Sequence, residues 1–233
     1  MAKSNISGRL TSLDALRGFD LFVLTALGPL VLSVVAAIGG ENLNWLAQIF
    51  THKDWEGFSP WDLVMPLFVF MSGASIPFAL SKAKREGNVG KFLLRLTKRV
   101  ALLWLLGMFV QGNLRALDPD HIYLYTNTLQ SIAVGYLVSA VLFYFTSIRT
   151  QVICATLLLL VYWAVMQFTG ADGFGYGNYT PDGNMAEWID RQILGHYRDQ
   201  SSLAADGTVV YATWYHYTWI LSSLTFAATA LTG

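Results

Sequence analysis

The sequence predicts an all-α fold, a polytopic transmembrane helix bundle of about six spans with its N-terminus in the cytosol. Three observations carry this expectation. Apolar residues make up 54% of the 233 residues and charged residues only 13%, with a mean hydropathy of +0.45. A soluble domain carries about 25% charge, so this chain has too little to cover a water-facing surface. Six segments approach the roughly 20 apolar residues that a spanning helix needs. They are 19–38, 60–81, 100–116, 127–146, 151–169 and 214–232. Finally, the basic residues between these segments alternate in density from loop to loop.

That alternation sets the orientation. Lys3, Arg9 and Arg17 precede the first span, seven Lys and Arg residues lie between Lys82 and Arg99, and Arg149 sits between spans four and five. All fall on one side if the spans alternate, and the positive-inside rule makes that side cytosolic. Lys53, Arg115, Arg191 and Arg198 fall on the other. The expected location is therefore the plasma (inner) membrane, multi-pass. The loops 39–59, 117–126 and 170–213 are then extracytoplasmic, and the last is long enough to cover a site from above.

Each end of the chain carries a further expectation. The run Phe19 to Ile38 is longer than the ~7–15 residues of a signal-peptide core, although Ala36 and Ala37 resemble a cleavage site, so a removed leader is the competing reading. The third span is short and should tilt little. The sixth, Trp214 to Gly233, ends without a basic anchor, which suggests that residues 1–233 are a single transmembrane domain incomplete at its C-terminus. No internal repeat is visible, so nothing suggests the inverted halves of a transporter. Zero net charge gives no global basic field, and nucleic acid is not an expected partner. Cys154 is the only cysteine; it excludes an internal disulfide and reads as a small apolar residue. No Cys/His cluster has metal-ligand spacing, so no metal is expected.

The densest polar chemistry lies between Thr51 and Asp62. Ser59-Pro60 reads as an N-cap followed by proline at the first helical position of span two. Asp62 is then the third helical residue, where a carboxylate can reach back to the Ser59 amide as a capping box. The helix dipole favours a negative charge there. An aspartate in that position can also orient a nearby imidazole, as the third member of a catalytic triad does. His52 lies ten residues upstream, in the loop above this helix start. Phe50, Trp55, Phe58 and Trp61 surround it, an aromatic shell that folds the loop onto the membrane surface or simply anchors it there. Within span two, Pro66 and Pro77 interrupt the helix, and Ser72, Gly73, Ala74 and Ser75 allow close backbone approach. Asn127 and Gln130, at the outer end of span four, are costly against lipid and should face the interior. His216 reads as an interfacial anchor.

These residues carry a resemblance. Arg9, Leu10, Ser12, Leu13, Asp14, Arg17 and Gly18 form its first block, and His52, Trp55, Gly57 and Phe58 its second. Asp62, Leu63, Val64, Pro66, Phe68, Val69, Phe70, Gly73 and Ser75 follow. Two later stretches, Leu129-Gln130 with Ile132-Ala133 and Gly183-Asn184 with Trp188-Ile189-Asp190-Arg191, keep the same order. The pattern resembles the heparan-α-glucosaminide N-acetyltransferase family of transmembrane acyltransferases. The resemblance implies transfer of acetyl from cytosolic acetyl-CoA, as co-substrate, to the amino group of a glucosamine-type sugar across the membrane. It places the essential histidine at His52 and its partner aspartate at Asp62. Trp55, Asn127 and Gln130 are then candidates for acceptor binding. Asn42 and Asn44 stand nearest to an asparagine that many relatives have at the end of span one. Departures also exist: Ser131 replaces an arginine, and Tyr215-His216-Tyr217-Thr218 replaces an acidic segment.

For such a donor, Arg17 and the basic run that includes Arg95 and Arg99 would meet the CoA phosphates. The plainer readings are an Asp14–Arg17 ion pair and a topogenic or lipid-binding stretch. His52 would act as general base or as a covalent acyl carrier, and the sequence leaves both open. The expected partners are membrane lipid and an amino-sugar acceptor, with a homodimer as an open possibility. A non-enzymatic sugar transporter or binding protein on the same scaffold is the alternative.

Overall fold

In the computed structural model, residues 11–38, 43–110 and 122–233 are described. Among them, four helices are long and apolar enough to cross a membrane. These are α1 (Thr11–Ile38), α3 (Pro60–Glu86), α5 (Thr128–Phe145) and α6 (Ile148–Phe168). Helix α4 (Val89–Val110) is as long, but its first half carries the basic run, and it corresponds to the third predicted span. The short α2 (Asn44–Ile49) lies in the loop that leads to His52. The predicted loop 170–213 is ordered around α7 (Met185–Leu194) and a hairpin of β1 (Ser201–Leu203) and β2 (Val209–Tyr211). That hairpin is the exception to the all-α expectation.

The sixth predicted span is corrected in its first half. Residues 214–222 form no helix, and α8 runs only from Ser223 to Thr232. The reason is competition for backbone amides. The Asp190 carboxylate accepts the N–H groups of Trp219 at 2.7 Å and Ile220 at 2.9 Å. A side-chain acceptor from another helix thus fixes where α8 can begin.

Helix α8 is nonetheless the centre of the bundle. A Cβ on Gly73 of α3 would stand 1.8 Å from the Ala230 carbonyl oxygen, and one on Gly135 of α5 would stand 3.0 Å from that of Phe226. Ala227, Ala228 and Ala230 are buried at this junction. Small residues let the three backbones meet, which is how helices associate where lipid removes the hydrophobic drive.

Helices α4 and α5 run antiparallel as a ladder of contacts. A Cβ on Gly107 would meet Asn127 Oδ1 at 2.8 Å, Leu103 packs against the cluster that contains Ile132, and the Arg99 guanidinium lies 4.1 Å from the Tyr136 ring centroid. At the far end Phe92 stacks on Tyr144 with centroids 4.1 Å apart. Where these helices end, side chains take the free carbonyls. Lys84 donates to the carbonyls of Phe143 and Thr146 at the end of α5, a cation placed at the negative pole of the helix. Gly87 adopts φ +62° to close α3, the left-handed cap that favours glycine.

Two breaks matter for the site. Helix α1 contains a π turn over Val23–Leu27, closed by the Gly28 amide on the Val23 carbonyl. Pro29 follows and has no N–H to continue the ladder, and the Trp61 indole fills the space at Gly28, 2.5 Å from where a Cβ would stand. Helix α3 breaks at Ser75, before Pro77. One turn earlier the Arg17 guanidinium donates to the Met71 carbonyl at 3.0 Å, tying α1 to α3.

Gly73→Ala should therefore destabilise the bundle by about 1–3 kcal/mol or more, since a backbone carbonyl cannot step aside. Gly18→Ala, where a Cβ meets nothing within 4 Å, should be neutral or slightly stabilising. Thermal unfolding in detergent checks the pair, and equal melting temperatures would contradict the packing assigned to α8.

Candidate active site

The site begins with the capping geometry of α3. Pro60 starts the helix in a 3₁₀ turn over Pro60–Leu63. The Ser59 amide donates to Asp62 Oδ2 at 2.7 Å, the reach-back half of a capping box. The Ser59 hydroxyl, in a residue only 1% exposed, donates to the Thr51 carbonyl at 2.7 Å. That bond pins the residue before His52. The imidazole then lies over Asp62, and its Nδ1 stands 2.7 Å from Asp62 Oδ1. One carboxylate thus serves both readings of the sequence: one oxygen closes the helix, the other holds the histidine.

His52 Nε2 forms no hydrogen bond to a described residue, and its side chain is 51% exposed. Its ring meets Trp61 edge-on at 6.4 Å and Tyr217 at 6.3 Å. Two cavities open from it. The first, about 340 Å³, is walled by Leu21 and, from the π turn, Leu24 of α1, by Trp61, Val64, Met65 and Phe68 of α3, and by Val110 and Ile132. Its polar lining is His52, Asn127 and Thr128. The second, about 350 Å³, has Lys53, Asp54, Trp55 and Asp62 on one wall and Trp214, His216 and Tyr217 on the other. His52 therefore stands where an apolar space and a polar one meet.

The second wall is held by charges inside the loop. Arg198 is fully buried and donates to Glu187 Oε2 at 2.6 Å, while Glu187 Oε1 accepts Arg191 Nε at 2.7 Å. The Arg198 guanidinium also donates to the carbonyls of Tyr215 at 3.3 Å and Tyr217 at 3.4 Å. On the other side of the cavity, Trp55 Nε1 donates to the Tyr179 carbonyl at 2.8 Å, and its ring meets His216 at 5.9 Å. Burial pushes the Asp190 carboxyl up to about 6, against the lowering effect of its two amide partners and Arg198.

Of the residues singled out in the sequence, His52, Asp62 and Trp55 come together around the polar cavity. Asn127 lines the apolar one. Its Nδ2 donates to the Gly107 carbonyl at 2.6 Å and its Oδ1 accepts the Leu129 amide at 3.0 Å. Gln130 is sealed from both. It clamps the segment before α5, accepting the Thr126 amide at 2.7 Å and donating to the Leu124 carbonyl at 2.8 Å. Asn44 is exposed at the start of α2 and lines neither cavity. Asn42 lies outside the described residues, as does Arg9. Arg95 is exposed on α4; Arg17 and Arg99 make the contacts given above. Sequence reasoning missed Trp214 and Tyr217 as cavity residues, and it missed the Glu187–Arg198 pair behind them. Their only signal was an unusual aromatic density after a charged loop.

Fold and site together define a helical membrane protein whose histidine–aspartate pair lies between two cavities. The chain belongs to the family described as a domain of unknown function (DUF5009), which matches residues 9–178. It is also similar to two curated proteins named heparan-alpha-glucosaminide N-acetyltransferase. The one from Mus musculus is 33% identical over 141 residues, which are 59% of this chain and 20% of that protein. The one from Homo sapiens is 32% identical over 144 residues, 60% of this chain and 20% of that protein. The match thus spans a fifth of these relatives' length.

Two outcomes follow for the charged loop. Arg198→Met leaves Glu187 buried with Arg191 alone, and should cost about 3–5 kcal/mol in unfolding free energy; an unchanged melting temperature would contradict the burial. Asp190 gives a pH dependence. Its folded carboxyl binds a proton up to about pH 6, against an ordinary value of 3.8. The folded chain holds the extra proton in between, so the stability it contributes is complete below about pH 4 and lost as pH rises through 6. The melting temperature of the wild type relative to Asp190→Asn should fall across that window, and a rising difference would contradict the assignment.

Proposed function

We propose that the protein is a transmembrane acyltransferase. It moves acetyl from cytosolic acetyl-CoA to the amino group of a glucosamine-type sugar on the opposite face. The observation that carries this reading is the position of His52, tied to Asp62 through Nδ1 and standing between an apolar and a polar cavity. The similarity to two proteins named as N-acetyltransferases supports the same chemistry.

In this reading α1, α3, α4, α5 and α6 cross the membrane as one domain and the short α8 enters it from outside, with the N-terminus in the cytosol of a cell with an inner, or plasma, membrane. The His52 loop and residues 170–213 lie outside. The donor approaches from the basic end of the bundle. Ile132 lines the apolar cavity, and one turn further, about 6 Å along α5, Tyr136 carries the Arg99 guanidinium. Arg99, Arg95 and Arg17 would meet the CoA phosphates, and the apolar cavity would take the pantetheine arm. The thioester then reaches the His52 ring.

The chemistry balances through one nitrogen. The acceptor amine attacks the thioester carbonyl, a C–N bond forms, and the C–S bond breaks. His52 Nε2 takes the amine proton and returns it to the leaving thiolate. Asp62 fixes the tautomer through Nδ1 and stabilises the imidazolium. The same nitrogen serves an acetyl-histidine relay, in which it attacks the thioester first.

His52→Ala should lower transfer by about 10²–10⁴-fold while leaving the melting temperature near that of the wild type. CoA release by purified protein, with and without glucosamine, provides the measurement. Near-normal release from His52→Ala would overturn the role, and sugar movement without CoA release would indicate a transporter instead. Labelled acetyl retained on His52 in the absence of sugar would identify the relay.

A further inference from the structure

The wall of the polar cavity opposite His52 is a constructed surface. Tyr215 and Tyr217, on either side of His216, have their carbonyls held by Arg198, a guanidinium buried completely and paired with Glu187. Burying that charge costs several kcal/mol unless its partners are well placed. What it secures is the backbone on both sides of one histidine.

The two walls also interlock pair by pair. His52 packs edge-on against Tyr217, and Trp55 against His216. Trp55 is itself anchored through the Tyr179 carbonyl, so His216 is fixed from the front as well as from behind. Its Nδ1 is buried without a hydrogen-bond partner. The nitrogen left for the cavity is Nε2, which bonds to no described residue. At His52, Nδ1 is instead occupied by Asp62. Each histidine therefore has a single ring nitrogen left for the same space.

We infer that His216 is an acceptor-binding residue. Its Nε2 hydrogen-bonds a ring hydroxyl of a monosaccharide-sized amino sugar, while His52 faces the reacting amine. The cavity of about 350 Å³ falls in the range of small-ligand sites, which combine apolar walls with a few placed polar groups. Trp55, Trp214 and Tyr217 supply flat faces for the C–H side of a pyranose, and Asp54 and Lys53 supply further polar contacts. This inference deepens the acyltransferase reading and rests on it for the reaction, though not for binding.

The experiment compares the full chain with His216→Phe, which keeps a ring against Trp55, and His216→Gln, which restores a polar group near the Nε2 position. With acetyl-CoA saturating, His216→Phe should raise the KM for glucosamine about 5- to 10-fold, the loss of one neutral hydrogen bond. Its kcat should change by less than about twofold, and His216→Gln should recover most of the KM. Ethanolamine, an amine without ring hydroxyls, should show no such change. An unchanged glucosamine KM, or an equal loss for both amines, would overturn the inference. If the wild type transfers no acetyl, the reaction reading fails, and equilibrium dialysis of glucosamine without donor decides the subsite. Weaker binding by His216→Phe than by wild type supports it; equal binding, or none to the wild type, overturns it.

Discussion

Inside an apolar bundle, a helix that starts or breaks leaves N–H and C=O groups with no water to satisfy them, and each must find a partner within the chain. Much of this fold answers that constraint. Asp62 takes the Ser59 amide at the start of α3. Asn127 and Gln130 serve the start of α5, and Asp190 takes the amides that precede α8. Arg17 and Lys84 take carbonyls near the break in α3 and the end of α5. The polar residues that look functional in an apolar sequence are therefore mostly occupied with the backbone. The candidate site arises where one of these caps has an oxygen to spare.

That spare oxygen gives the site its order. A capping carboxylate is already fixed by the helix it closes, so a histidine bound to its free side inherits the same rigidity. Ser59 completes the arrangement by pinning Thr51, and Gly28 admits the Trp61 ring that forms the floor beside His52. The π turn of α1 belongs to the same construction. It places Leu24 in the wall of the apolar cavity, and such turns often mark functional positions in helices.

The second half of the site is built on different principles. Segment 214–217 has no regular structure to hold it, and a buried ion pair takes that role. The Glu187–Arg198 pair is costly in isolation. It serves here to fix loop carbonyls that would otherwise lie free beside a cavity. Asp190 adds a second buried charge one turn along α7, and its raised pKa records how little solvent reaches that junction.

The sequence by itself determined the helical membrane class, the start of α3 at Ser59-Pro60, and the candidate pairing of His52 with Asp62. These are local matters: apolar length, proline and cap chemistry, and a short loop read directly from neighbouring residues. It did not reveal that 214–222 would be non-helical, that Gln130 would be consumed by Leu124 and Thr126, or that His216 would line the same cavity as His52. Those features depend on contacts between residues distant in the chain. An apolar run reads as helix until a carboxylate from elsewhere takes its amides, and an arginine in a polar loop reads as solvated until a glutamate eleven residues away buries it. Only the tertiary structure decided which polar groups were spent on the backbone and which were left to face a ligand.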